Sequence, residues 1–214
     1  MSRTDWDHNA WYHRLLLAQV PAGAQRVLDV GCGAGALAGE LAQRVDHVDA
    51  VDRDPAMVAL ARSRVPADVT VVHGDALTVP LPAGGYDAVL SLSALHHLPL
   101  QPALERMALL LRPGGVLAAV ALPRTDLPRD VAVEVAGLVG HRVLGAAFAA
   151  GRTLTGRSLF APGPDHDRMP MRDPDLTTRQ VRAAASAVLP GVRVRRLVFW
   201  RYALSWTAPG GGTA

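Results

Sequence analysis

The sequence has no lysine, a single cysteine and few aromatic residues. All 22 basic residues are arginine, so no lysine amine is available for catalysis. The lone cysteine, Cys32, excludes an internal disulfide and a metal site built on cysteines. No uncharged apolar run reaches ~18 residues, and no basic-then-apolar leader opens the chain. These absences predict a cytoplasmic protein without a membrane partner.

The charge of the chain is small and evenly distributed. The 214 residues carry a formal net charge of +3, which is typical of a solvated surface and not of a track for phosphates. No nucleic-acid partner is therefore expected. Half of the residues are apolar, and alanine, valine and leucine dominate among them, as in helices packed on a parallel sheet. The length suits one α/β domain.

A glycine-rich turn between an apolar strand and a helix is the most informative segment. It reads Val27-Leu28-Asp29-Val30-Gly31-Cys32-Gly33-Ala34-Gly35. Glycines permit positive φ and let a ligand approach the backbone, while the helix directs its first amides to the same point. Such a turn predicts a nucleotide site at the carboxyl edge of a parallel sheet. The spacing also fits the dinucleotide pattern, but Asp29 would repel a pyrophosphate and favours a ligand with an ammonium group and a sulfonium.

Two further predicted strands end in an acid or lead directly into one. Val48-Asp49-Ala50-Val51-Asp52 predicts a second strand, whose last carboxylate can accept both hydroxyls of a ribose. A third strand, Val69–His73, leads into Gly74-Asp75-Ala76. Asp52 could instead cap a helix, although Asp54-Pro55 is a better helix start. Asp75 could be an ordinary Asx-turn residue.

The next two strands complete an ordered series. Tyr86–Leu92 predicts a fourth strand, which Ser93-Ala94-Leu95-His96-His97-Leu98 and an amphipathic helix follow. Arg112-Pro113-Gly114-Gly115 predicts the end of that helix and the start of a fifth strand, Val116–Leu122. Five motifs in this order, over residues 27–122, resemble the class I methyltransferases of the small-molecule type that use S-adenosylmethionine (SAM).

The resemblance implies an α/β fold, a Rossmann-like three-layer sandwich. Its seven-stranded sheet would have the order 3-2-1-4-5-7-6, with the last strand antiparallel. The cofactor would be SAM and the product S-adenosylhomocysteine, with Asp52 on the ribose and with Asp75 and Ala76 on the adenine. The resemblance implies that the cofactor contacts come from Asp29, Gly31, Cys32, Gly33, Gly35, Asp52, Arg53, Gly74, Asp75, Ala76, Ser91, Leu92 and Tyr12.

Methyl transfer from a sulfonium needs mainly proximity, alignment and the exclusion of water. A base is needed only if the acceptor must lose a proton, and His96 and His97 are the candidate catalytic bases. In the resembled family one histidine of such a pair often supports the cofactor pocket instead, so both roles stay open. No metal site is expected, because Asp165-His166-Asp167 is interpreted as a solvated turn.

We expect one domain with four parts: an N-terminal arm (1–25), a cofactor-binding core (26–122), an insertion that could act as a lid (123–175), and a C-terminal helix with a β-hairpin (176–214). The insertion predicts an apolar helix over residues 131–150 and a Gly/Pro loop over residues 151–175.

Beyond the insertion, Thr177 and Gln180 predict a capping box, and strands at residues 192–199 and 202–207 predict the hairpin.

The main hypothesis for function is a SAM-dependent methyltransferase that acts on a small-molecule acceptor. Ser91-Leu92-Ser93-Ala94 stands where methyltransferases of adenine or glutamine amides carry an N/D-P-P-Y/F tetrapeptide, which argues against those substrates. A non-catalytic SAM- or nucleotide-binding protein is the alternative. An NAD-dependent oxidoreductase is a third, opposed by Asp29 and the hairpin. The sequence leaves open the acceptor, the methylated atom and the oligomeric state, and we expect the arm and the insertion to recognise the acceptor.

Overall fold

A mostly parallel sheet lies at the centre of the molecule. The computed structural model describes residues 4–161 and 172–210. Its strands are β1 Arg26–Val30, β2 His47–Asp52, β3 Val69–His73, β4 Tyr86–Leu92, β5 Leu111–Ala121, β6 Arg193–Leu197 and β7 Arg201–Thr207. They form one seven-stranded sheet in the order β3-β2-β1-β4-β5-β7-β6. Strands β1 to β5 pair in parallel, and β7 is antiparallel to both of its neighbours, which confirms the expected topology.

Helices cover both faces of the sheet. In the described part of the chain they are α1 His8–Leu17, α2 Ala36–Leu41, α3 Pro55–Arg64, α4 Leu100–Leu110, α5 Val131–Thr155 and α6 Thr178–Val188, with one 3₁₀ turn at Leu95–His97. One apolar cluster packs α1, α2 and α3 on the first face, and a second packs α4 and α6 on the other. The described residues 74–85 contain no helix between β3 and β4, as their prolines and glycines predict.

Two predicted helix starts are confirmed by their hydrogen bonds. Asp54 accepts from the amide of Ala56 at 2.8 Å, and Pro55 is the first residue of α3. Thr177 and Gln180 form the reciprocal capping box of α6. Both signals are local in sequence, so they hold whatever the helix packs against.

The bounds of β5 and α5 differ from the prediction. Strand β5 begins at Leu111 and not at Val116, because Leu111 pairs with Tyr86 before the ladder shifts register. Helix α5 continues to Thr155, so residues 151–155, predicted as loop, are helical. Gly156, with φ of 66°, ends the helix in the left-handed conformation.

The hairpin turn is longer than expected. Strand β6 ends at Leu197, and the turn contains Phe199 and Trp200 with φ of 52° and 57°. Phe199 is only 4% exposed and packs among other aromatic rings, so tertiary packing overrides its preference for an extended strand. Residues 162–171, which include Asp165-His166-Asp167, lie outside the described residues.

The register of the sheet brings the acidic strand ends to one edge. Asp29 of β1 is level with Ala50 of β2, and Asp52 of β2 is level with His73 of β3. Because these strands are parallel, the segments that follow all leave from the same carboxyl edge.

Candidate functional site

A cavity of about 260 Å³ opens at the carboxyl edge of the sheet. Its wall combines the turns after β1, β2, β3 and β4 with the start of α1. The predicted cofactor residues among its lining are Asp29, Gly31, Cys32, Gly33, Asp52, Arg53, Gly74, Asp75, Ala76 and Leu92, and the candidate base His97 is there as well. Motifs scattered over 70 positions of sequence therefore meet in one place.

The glycine turn has a backbone that other residues could not adopt without strain. Gly31, Gly33 and Gly35 have φ of 73°, 51° and 83°. A Cβ on Gly31 would lie 2.1 Å from the Cβ of Ala94, so the turn after β4 closes directly over it. The turn is also held to β2, because the amide of Gly31 donates to the carbonyl of Val51 at 2.8 Å.

Asp29 is a buried acid with an unsatisfied oxygen. The residue is 1% exposed, and its Oδ2 has no hydrogen-bond partner among the described residues. Burial raises its pKa from 3.8 to about 7, and the nearby charge of Asp52 adds to the increase. The buried acid Asp49 differs, since it accepts from Arg26 and from Tyr86, each at 2.7 Å. Asp29 is thus the buried acid whose oxygen is left for a ligand.

Asp52 is held by backbone amides. One carboxylate oxygen accepts from Gly33 at 2.8 Å, and the other accepts from Asp54 at 2.9 Å. These bonds tie the end of β2 to the glycine turn after β1. The carboxylate therefore has a fixed position on the cavity wall, with further lone pairs available to a ligand.

Asp75 forms an Asx turn at one end of the cavity. Its Oδ1 accepts from the amide of Leu77 at 2.9 Å, which is an Asx turn, and the residue also lines the cavity. Gly74 packs closely against Val79, because a Cβ added to Gly74 would lie 3.1 Å from the Val79 side chain. The Asx turn therefore orients the segment that forms this end of the cavity.

The two histidines have different surroundings. His97 lines the cavity, whereas His96 is not part of its wall and contacts His97 with ring centroids 4.1 Å apart and ring planes tilted by 36°. The Nδ1 atoms of both rings are buried without a partner among the described residues. Burial lowers the pKa of His96 to about 4, and it lowers that of His97 as well, helped by the charge of Arg53. Both imidazoles are therefore neutral at pH 7.

Four predicted site residues do not line the cavity: His96, Gly35, Ser91 and Tyr12. Ser91 donates to the carbonyl of Val30 at 3.0 Å and so ties β4 to β1. Tyr12 points to the hairpin, where its hydroxyl donates to the carbonyl of Val198 at 2.6 Å. These two side chains support the residues around the cavity.

Sequence reasoning expected the arm, including His13, to recognise the acceptor, but it missed Asp7 and Asn9. Asp7, Asn9 and His13 all line the cavity. Asn9 accepts from the hydroxyl of Ser93 at 2.7 Å and from the guanidinium of Arg201 at 3.1 Å, and so joins α1 to β4 and β7. The cap at Asp7, which accepts from the Asn9 amide at 2.8 Å, was the only sequence signal that a helix starts here.

The region described contains no group of three or more His, Cys, Asp or Glu side chains arranged to hold a metal ion.

Comparison with known proteins assigns the chain to a family. The family described as "Methyltransferase domain" matches residues 27–115. The chain is 36% identical to an uncharacterised methyltransferase of Mycobacterium bovis over 206 residues, which are 95% of this chain and 98% of that protein. It is 42% identical to a ubiquinone biosynthesis O-methyltransferase of Xanthomonas axonopodis over 123 residues, 55% of this chain and 50% of that protein.

Solved structures of methyltransferases share this fold. A crystal structure of a SAM-dependent methyltransferase from Aquifex aeolicus superimposes with a TM-score of 0.59, at 19% identity, over 91% of this chain and 88% of that one. At this identity the likeness concerns the fold, and the M. bovis relative carries the family assignment. The chain belongs to the class I SAM-dependent methyltransferases, and SAM is its cofactor.

Proposed function

We propose that the protein transfers the methyl group of SAM to a small-molecule acceptor, which binds between the glycine turn, His97 and α1. The observation that carries this proposal is the unsatisfied carboxylate of Asp29 in a cavity that Asn9 and His13 of α1 close on the acceptor side. A cavity of about 260 Å³ is close to the lower end of the size range of small-molecule sites, which supports a small ligand.

The residues present fit the cofactor. SAM carries an ammonium group and a sulfonium, and the buried oxygen of Asp29 is a suitable partner for such a cation. Gly31 and Gly33 line the cavity with bare backbone, which a ligand can approach closely, and the missing side chain of Gly31 leaves the space that Ala94 fills. Asp52 would accept the ribose hydroxyls, and the Asp75–Ala76 segment would bind the adenine. When bound, SAM supplies an electrophilic methyl group on a good leaving group.

The acceptor side offers a weak base and several hydrogen-bonding groups. His97 is neutral and lines the cavity, so its imidazole can accept a proton from an acceptor hydroxyl. His96 is a poorer base, because its pKa is about 4 and it lies behind His97. Its ring instead packs against the His97 ring and limits how that ring can turn. Asn9 and His13 would hydrogen-bond polar groups of the acceptor.

The test is transfer of a radioactive methyl group from labelled SAM into a bacterial small-molecule extract. We expect label in the small-molecule fraction and none in protein or nucleic acid. His97→Asn should keep the SAM affinity within about twofold but lower transfer about 10²-fold or more if the imidazole is the base. SAM binding without transfer to any fraction would support the alternative, a non-catalytic SAM-binding protein in the cytoplasm.

A further inference from the structure

Helix α5 presents an apolar face to the solvent. Six of its large aliphatic side chains are between 48% and 85% exposed: Val131, Val135, Leu138, Val139, Val143 and Leu154. Leu127, just before the helix, is 66% exposed. In the described residues α5 is the one helix long and apolar enough to cross a membrane, judged by length and composition alone. Large apolar patches on a protein surface mark interaction sites, and this helix exposes six large aliphatic side chains.

The other face of α5 fixes how the helix is oriented. Gly137 and Gly140 lie against Phe199 of the hairpin turn, with 3.3 Å and 3.1 Å from an added Cβ to the nearest atom. Gly145 lies against Thr4 and Trp6 of the arm, and a Cβ there would be 2.3 Å from the carbonyl of Thr4. Because this glycine face holds the helix against the domain, the aliphatic face has to point away from it.

The charges on α5 are arranged unequally between its two faces. Its one acid, Glu134, faces the domain and pairs with Arg196. Arg142 is exposed on the outward side. Arg129, before the helix, and Arg157, after it, are exposed as well. The outward face of this described helix is therefore aliphatic, with Arg142 and without an acid, while Arg129 before the helix lies 3.8 Å from Asp126.

We propose that the outward face of α5 docks on the surface of an anionic lipid bilayer, with the helix axis parallel to the membrane. The 25 residues of α5 are about 37 Å long, and their aliphatic side chains would enter the boundary between headgroups and acyl chains. Arginine side chains extend apolar stems along such a surface and place the guanidinium among the anionic headgroups. The helix lies on the membrane and does not span it, because its glycine face is packed on the domain.

A second copy of the chain fits this face less well. In an interface with twofold symmetry, a surface patch meets itself. The midpoint of α5 is Val143, so a centred antiparallel pair would bring the two Arg142 side chains together at the axis. The outward face of the helix has no acid to neutralise them. An anionic surface would neutralise Arg142 without this repulsion, so the proposal differs from the expectation from sequence that there is no membrane partner.

The test is co-sedimentation of the whole protein with vesicles of phosphatidylcholine, alone or mixed with phosphatidylglycerol. We expect binding to the mixed vesicles and much weaker binding to the neutral ones. Val139→Glu should lower the partition coefficient about tenfold or more, because a charge replaces a valine that would enter the membrane. Arg142→Gln should lower it about fivefold on the anionic vesicles only.

Leu109→Glu is the matched control. Leu109 is 66% exposed on α4, which packs on the opposite face of the sheet, so the same change of charge should leave vesicle binding within about twofold. SAM affinity should be unchanged in all three variants, which separates this proposal from the methyltransferase function. The proposal is overturned if Val139→Glu binds vesicles as the wild type does. It is also overturned if the wild type does not bind either kind of vesicle. That holds whether the wild type is a monomer or a dimer that Val139→Glu dissociates.

Discussion

The two sides of the cavity are built by different means. On the cofactor side, short turns place backbone and carboxylates directly, as in the bonds from Asp52 to the Gly33 and Asp54 amides. On the acceptor side, α1 is held by large side chains, because Trp6 packs against both Phe148 of α5 and Phe199 of the hairpin. The difference suggests that the cofactor side tolerates little change of backbone, while the acceptor side can change its shape through side-chain packing.

The largest effect we expect comes from Gly31→Ala. Its φ of 73° costs a side-chain-bearing residue about 1–2 kcal/mol, and the contact with Ala94 adds about 1–3 kcal/mol of overpacking. The free energy of unfolding should fall by about 2–5 kcal/mol in urea titrations, with loss of SAM binding.

Gly23→Ala is the control for this substitution. Gly23 has a similar φ of 77°, but nothing lies within 4 Å of an added Cβ. Its cost should therefore be the backbone term alone, about 1–2 kcal/mol. Equal costs for the two variants would show that the close approach of Ala94 to the turn is unimportant.

The next effect in size is expected for Asp52→Ala. The change removes the acceptor of two amide bonds and the proposed partner of the ribose, so SAM affinity should fall by about 2–4 kcal/mol by calorimetry. Asp75→Ala is the comparison variant. Asp75 is exposed and its Asx turn is worth about 1 kcal/mol, so this variant should lose less SAM affinity than Asp52→Ala. Unchanged affinity in Asp52→Ala would mean that the ribose lies elsewhere.

Asp29→Asn should lower SAM affinity by about 1.5–3 kcal/mol at pH 8, because a charged partner of the ammonium becomes neutral. In the wild type the affinity should rise between pH 6 and pH 8, as the carboxyl group with a pKa of about 7 becomes ionised. In the variant this rise should be absent. Parallel pH profiles in the two proteins would exclude Asp29 as the ammonium partner.

Asp29 also affects the stability of the ligand-free protein. Its pKa is higher in the folded state than the ordinary 3.8, so the folded state binds a proton that the unfolded chain releases. The stabilisation from this group is complete below pH 3.8 and is lost as the pH rises towards 7. Urea titrations across this range should show that loss in the wild type, and Asp29→Asn should lack it.

The same contrast explains what the sequence could predict. The glycines and the acids at strand ends are local signals, so the edge that contains Asp29, Asp52 and Asp75 follows from the order of motifs. The contacts of Asn9 do not, since its partner Ser93 is 84 positions away and Arg201 is 192 positions away. Their meeting depends on how α1 docks, and docking is decided by burial of rings that have no fixed spacing in sequence.

The extent of α5 was missed for a similar reason. Residues 151–155 carry no local signal against a helix apart from Gly151, and the helix ends where Gly156 adopts positive φ. The exposure of Val135 and Val139 could not be predicted either, because an apolar stripe normally marks the buried side of a helix. Here the glycines take the buried side, and Gly137 is among the few buried residues of α5.

The smallest effect should come from Tyr12→Phe, which separates support of the cavity from contact with the cofactor. Tyr12 is 4% exposed and its hydroxyl donates to Val198, so the loss of this bond should cost about 1 kcal/mol of unfolding free energy. The cost stays small because Val198 is 37% exposed and water can replace the donor. SAM affinity should remain within about twofold, since the side chain is not part of the cavity wall. A fall in SAM affinity of tenfold or more, without loss of stability, would instead place Tyr12 on the cofactor, as the family resemblance implied.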